Sequence, residues 1–302
     1  MSLADLAKLV FVSAIWGSAF IFLRVAVPEM GMWLTSILRA SLASVALVTF
    51  TTLAGLPMQW RRNFRHFAII GFFGNVVPFV TFSFAALHIP AAHSAVLNST
   101  VPLFGALLSV VFLAERLTMR MLLGLLLGIA GVAILVGAGS LLLNAAILMA
   151  VAVCLLGAMA VALASIIVKK TGNGGGIHPI VMAAGSLALG SAAMLPALPF
   201  SLPAAMPSSV AWTCTVAVAL VSTGLAQAMF ISLILKIGPT RAMSATFLLP
   251  LFSMLWGILF LREAVGAATL IGAMVVLAAM GLVLTAPRPQ RVVSVVEAEI
   301  KA

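Results

Sequence analysis

Long apolar blocks make up nearly all of this chain, and short clusters of Arg, Lys, Gly and Pro interrupt them at intervals. A helix needs about 20 apolar residues to cross a bilayer. Ten segments reach that length, give or take a few residues. They are Leu6–Val27, Met32–Leu53, Phe67–Leu87, Pro90–Leu113 and Met119–Gly137, then Leu143–Val168, Pro179–Pro199, Val210–Leu235, Pro239–Leu261 and Val265–Thr285. The pattern predicts an all-α integral membrane protein with ten transmembrane helices. Most connections are short, so helices adjacent in sequence run antiparallel.

Composition adds the solvent. The 302 residues are 64% hydrophobic and 7% charged, against about a quarter charged in soluble domains. The partner of the surface is a lipid bilayer. A net charge of +10 would suit nucleic acid if the bases formed a stripe; they lie between apolar runs instead, and no nucleic-acid partner is expected. Cys154 and Cys214 both sit inside apolar runs and read as small buried hydrophobes. One Lys precedes a first apolar stretch that continues past Arg24 with no small-residue cleavage pattern, so that stretch reads as a retained helix.

Lys and Arg concentrate on the cytoplasmic side of membrane proteins. With the N-terminus inside, thirteen of the sixteen bases fall in inner loops or the tail, Arg24 and Arg262 fall outside, and Arg39 lies within the second helix. Both termini are therefore expected in the cytoplasm, the protein being multi-pass in the cell inner (plasma) membrane.

The block NSTVPLFGALLSVVFLAE, Asn98 to Glu115, recurs as TFLLPLFSMLWGILFLRE, Thr246 to Glu263, at an offset of 148. The same offset pairs Phe82 with Phe230 and Gly124 with Gly272. The first and sixth helices match only around Gly17 and Gly157, at a different offset. Five helices per half is an odd number, so the second half enters the membrane upside down. The chain divides into repeats at 1–138 and 139–287 and a cytoplasmic tail at 288–302. Inverted repeats around a shared site are a common plan of secondary transporters.

WGSAF at Trp16–Phe20, the Arg39 region, and PLF…FLAERLT…LLG…GIAG with its return as PLF…FLREAV…IGA resemble the EamA-type family of the drug/metabolite transporter superfamily. The chain is most similar to its YddG-type exporters of amino acids and related metabolites. The resemblance implies a central cavity enclosed by helices one to four and six to nine, with five and ten peripheral. The second block departs from the pattern, having Ala264–Val265 where the first has Leu-Thr.

Polar side chains within hydrocarbon usually face a cavity or a neighbouring helix. Asn75, Phe79 and Phe82 share one helical face, and the offset converts them to Thr223, Gln227 and Phe230. Trp16 and Phe20 share a face of the first helix. His93, Asn98 and Ser244 complete the candidate substrate-binding set; a satisfied interfacial histidine competes with a proton relay at His93. Arg39 could fork onto a substrate carboxylate, but a structural role, bonding backbone carbonyls or snorkelling, is preferred. Glu115 and Glu263, with neighbouring Arg116 and Arg262, are expected to fasten turns. Pro78, Pro102 and Pro250 are candidate gating kinks. Gly124, Gly128 and Gly131 mark either internal packing or a homodimer seam. Gly172–Gly176 lacks the context of a phosphate loop and reads as a flexible connection.

No Asp or Glu lies mid-helix, which counts against carboxylate-driven proton exchange and favours facilitated, gradient-driven export. No metal or cofactor set is apparent. An intramembrane enzyme would need paired aspartates, a Ser–His pair or a zinc set, and Asp5 is the only aspartate. A scaffold or receptor would leave the repeat and the polar faces without a purpose. A sugar-phosphate transporter would need several cavity bases, where only Arg39 is at hand.

Overall fold

The computed structural model describes residues 3–113, 118–137, 144–175, 177–237, 242 and 244–284, and the regular structure within them is helical throughout. We number the helical stretches α1 (Leu3–Met30), α2 (Met32–Leu53), α3 (Trp60–His88) and α4 (Ala91–Asn98 and Val101–Leu113). There follow α5 (Met119–Gly137), α6 (Ala145–Gly175) and α7 (Pro179–Met194, with the turn Leu195–Phe200). The last are α8 (Ser209–Ile237), α9 (Ser244–Phe247 and Leu249–Leu261) and α10 (Ala267–Leu284). Among the described residues seven helices are long and apolar enough to cross a membrane, and three shorter apolar ones are Met119–Ile134, Leu249–Leu261 and Ala267–Leu282.

Two boundaries differ from expectation. α3 starts at Trp60, seven residues before the apolar run, and carries Arg61, Arg62 and Arg65 on its first turns. α6 continues through Gly172 to Gly175, where the glycine run predicted a loop. A helix already nucleated in an apolar segment gains a hydrogen bond for each residue it adds. Glu115, the start of the ninth predicted helix at Pro239 and the tail lie outside the described residues.

Proline sets the irregularities. α4 breaks at Ser99–Thr100, just before Pro102, which has no N–H to continue the ladder. The Ser99 and Thr100 hydroxyls donate to the carbonyls of Val96 and Leu97, each at 2.6 Å, so backbone acceptors are satisfied without water. At the repeat position Pro250 again stands second in a restarting helix, after the turn Ser244–Phe247. α3 widens into a π-turn at Phe72–Val76 just ahead of Pro78. α8 widens at Val218–Leu225, which contains the repeat-equivalent positions, but by another route: the Thr223 hydroxyl donates to Val218 O five residues back, at 2.8 Å.

The two halves interlock. α1 packs on α9 and α8, as α6 packs on α4 and α3; α2 meets α8 as α3 meets α7. α2 with α7, α4 with α9 and α5 with α10 continue the series, and α10 also touches α4. Exchanging helix n for helix n + 5 maps the pairings of the series onto one another. The α5–α10 contact shows the geometry. A Cβ on Gly131 would fall 2.7 Å from Val276, and one on Gly128 would meet Leu103 and Ala279. Numbers rise on one helix as they fall on the other, so the two run antiparallel. These glycines are thus spent on packing within the chain. On α3, Gly71 lies against the backbone of Ser186 and Gly190 on α7, a contact that tolerates no side chain.

Replacing Gly131 by Val inserts atoms where Val276 already sits, and overpacking of this kind costs about 1–3 kcal/mol. Thermal unfolding in detergent should show a lowered midpoint for Gly131→Val. Gly281→Ala on α10, with open space around it, should match the wild type; equal midpoints for all three proteins would contradict the packing described.

Candidate functional site

A cavity of about 110 Å³ lies where the halves meet. α1 contributes Trp16, Ala19, Phe20 and Leu23, and α6 contributes Val161, Ala164, Ser165 and Val168. Both sets have the spacing i, i+3, i+4, i+7 of one helical face, and they superpose at an offset of 145. The Gly17/Gly157 match in the sequence implies 140 and is not the register the walls use. Gly17 instead lets α9 approach at Phe252, and Gly157 lets α3 approach at Thr81. From α3 and α8 the wall takes Gly74 and Ser222, Phe79 and Gln227, Phe82 and Phe230, three pairs at the 148 offset. Asn98 of α4 and Thr246 of α9 form a fourth. No residue of α5, α7 or α10 lines it.

Aromatic edges shape the interior. Trp16 meets Phe230 edge-on at 4.6 Å between centroids, and Phe20 meets Phe82 likewise at 5.7 Å. One helix thus braces the two repeat-equivalent phenylalanines. Trp256 of α9 donates from Nε1 to Ala14 O at 3.1 Å, tying α9 to α1.

Of the residues singled out from sequence as substrate-binding, Trp16, Phe20, Phe79, Phe82, Asn98, Thr223, Gln227 and Phe230 line the cavity. Asn75 and His93 do not. The π-turn rotates Asn75 off the face of Phe79 and Phe82; it is fully buried near Gly190 of α7, and its amide has no partner. His93 is buried in α4 with neither ring nitrogen bonded. The backbone of Ser244 forms part of a turn, and its side chain lies outside the described set. Pro78 lines the cavity, whereas Pro102 and Pro250 stand beside it. Ser165 and Ser222 were missed; the i, i+3, i+4, i+7 set on α6 was the available signal for the first.

Among the described residues Arg39 is the only charged one in the wall. Its Nε donates to Thr223 Oγ1 at 2.6 Å, and its guanidinium carbon lies 4.1 Å from the centroid of Phe79. It bonds no backbone carbonyl among the described residues and is 8% exposed, so neither form of the expected structural role describes it. The described carboxylates are engaged elsewhere: Asp5 pairs with Lys236 at 2.6 Å, Glu29 accepts from Ser208, and Glu263 faces Arg24 at 4.0 Å. Burying an ion costs several kcal/mol even after relaxation. A desolvated cation–π contact returns about 2 kcal/mol, and one neutral hydroxyl adds little more. Arg39 is undercompensated.

The ends of α1 are fastened by different groups. At one end buried Asp5 holds Lys236 of α8; at the other, Arg24 Nη1 donates to Ala86 O of α3 at 2.6 Å. Glu263 accepts from Ala91 N at the start of α4 at 3.4 Å, where a helix N-terminus favours negative charge. Its expected partner, Arg262, ends α9 in the left-handed region at φ 53° and forms no ion pair among the described residues.

A two-part helical bundle with a mostly apolar cavity on the seam is the architecture of a membrane transporter, and the chain belongs to the EamA-like transporter family, which it matches over residues 6–137 and again over 148–285. A probable terminal-alkyne amino-acid exporter of Streptantibioticus cattleyicolor is 32% identical over 131 residues, 43% of this chain and 44% of that relative, so the match spans less than half of the exporter. Protein PecM of Dickeya dadantii is 26% identical over 94% of this chain and 92% of its own length. A crystal structure aligns over the full length of both chains with a TM-score of 0.67 at 16% identity, a likeness of fold alone.

Removing the Thr223 hydroxyl leaves the Arg39 Nε–H short of a partner and takes a second donor from the Val218 carbonyl of the π-turn. An unsatisfied buried group costs about 1–3 kcal/mol. Thr223→Val should lower the thermal midpoint in detergent while Thr223→Ser keeps it near wild type; if Val and Ser behave alike, the hydroxyl does not hold Arg39.

Proposed function

We propose that this transporter exports amino acids and related small metabolites by alternating access, its two halves inserted in opposite senses in a cell inner membrane with both termini cytoplasmic. The observation that carries the reading is the cavity itself, walled from both halves by residues that exchange under the repeat. The antiparallel crossing of α5 and α10 supports the inversion, and the distribution of Lys and Arg supports the orientation. If the halves swap conformations, the opening moves from one membrane face to the other. The unequal fastenings at the ends of α1, Asp5–Lys236 against Arg24–Glu263–α4, are suited to be made and broken in turn. The named amino-acid exporter among the relatives favours that substrate class.

The coupling proposed is none: substrate leaves down its own gradient. The cavity wall contains no carboxylate among the described residues, and a proton carrier of that kind would have to stand there. Ten crossings follow if the three shorter apolar helices also span.

Proteoliposomes loaded with a panel of neutral amino acids test this. Efflux should proceed with no imposed pH difference and should fall about tenfold or more in Gln227→Leu, which removes an amide worth about one hydrogen bond to a charged group. Efflux only under a pH gradient would contradict the uncoupled mechanism, and no efflux of any amino acid would contradict the substrate class.

A further inference from the structure

We infer that Arg39, Thr223 and Phe79 form a carboxylate-recognition site, so that the transported molecule must carry a free carboxylate beside its amine. The inference rests on the exporter reading above and narrows its substrate. A guanidinium presents five N–H donors in a planar fork. Here Thr223 takes Nε and Phe79 covers a face, which holds the plane fixed and leaves the terminal nitrogens without a protein acceptor among the described residues. That edge matches the two oxygens of a carboxylate, which Arg binds bidentately.

The asymmetry of the cavity points the same way. Most of its wall is duplicated between the halves, but the repeat position of Arg39 is Leu187, which is wholly buried and packs with Phe79 and Ile37. One half therefore supplies a cation that the other does not balance, and no acid among the described residues of the cavity cancels it. One uncompensated positive charge suits one carboxylate; a phosphate dianion would call for several bases. Gln227 lies one turn beyond Thr223 on α8, and its amide, like that of Asn98, is bonded to no protein group among the described residues. These amide oxygens are placed to accept from an ammonium on the carbon next to the carboxylate. Trp16, Phe20, Phe82 and Phe230 leave an aromatic slot for an apolar side chain.

The test uses the full chain and two separate readouts. In proteoliposomes, efflux of phenylalanine and methionine is compared with that of their carboxamides and their decarboxylated amines. In detergent, titration calorimetry measures binding of the same compounds to wild type, Arg39→Lys and Arg39→Gln. The acids should be bound and exported by the wild type, and the amides and amines should be about 10- to 100-fold poorer, the range for a hydrogen bond to a charged group. Arg39→Gln should lose that preference, and Arg39→Lys, with charge but no fork, should recover part of it. Equal handling of acid and amide by the wild type would overturn the site while leaving the exporter reading intact, and needs no variant to fold. Arg39-dependent binding of the acids with no flux of any compound would uphold the site and overturn the exporter.

Discussion

Lipid offers backbone groups no hydrogen bonds, so each segment must close its own ladder and then find its neighbours by shape. In this chain the close approaches run across the halves. Gly17 admits α9 to α1, Gly157 admits α3 to α6, and Gly71 admits α7 to α3. The first helix of each half thus rests on the third and fourth helices of the other. Neither half closes a bundle alone. The cavity lies where the two sets of helices are fitted to each other along a seam.

On that scaffold much of the cavity wall is built twice. Phe82 and Phe230, Gly74 and Ser222, and Asn98 and Thr246 are among the duplicated parts. Arg39 is the charged exception, a buried cation with a hydroxyl and an aromatic face but no acid among the described residues of the wall. Duplication suits a machine that must present similar walls to both sides of a membrane. The single charge suits one that must also choose what it carries.

The hydrophobic blocks revealed the helices because a membrane span is long and chemically uniform. The repeat revealed Phe79, Phe82, Gln227 and Phe230 as wall residues because both copies lie in helices whose register survives from one half to the other. Asn75 misled because the π-turn at Phe72–Val76 widens the helix there, and a fixed 3.6 period cannot see it. The match at Gly17 and Gly157 misled for another reason: each glycine answers to a local close approach, and the walls of α1 and α6 align in a register five residues away from it. Glu263 faces Arg24, far away in sequence, while the adjacent Arg262 itself takes the left-handed conformation that ends α9. Partners of that sort are set by the tertiary fold and leave no local pattern.

The opposed insertion of the halves is tested most directly at Met119 and Ala267, the first residues of α5 and α10, equivalent under the repeat and exposed. Each is replaced singly by Cys in a protein lacking Cys154 and Cys214, and labelled in sealed right-side-out vesicles with a maleimide that cannot cross membranes. The account expects Cys at 267 to react from outside and Cys at 119 to react only after the vesicles are opened. Labelling of both from the same side would contradict it.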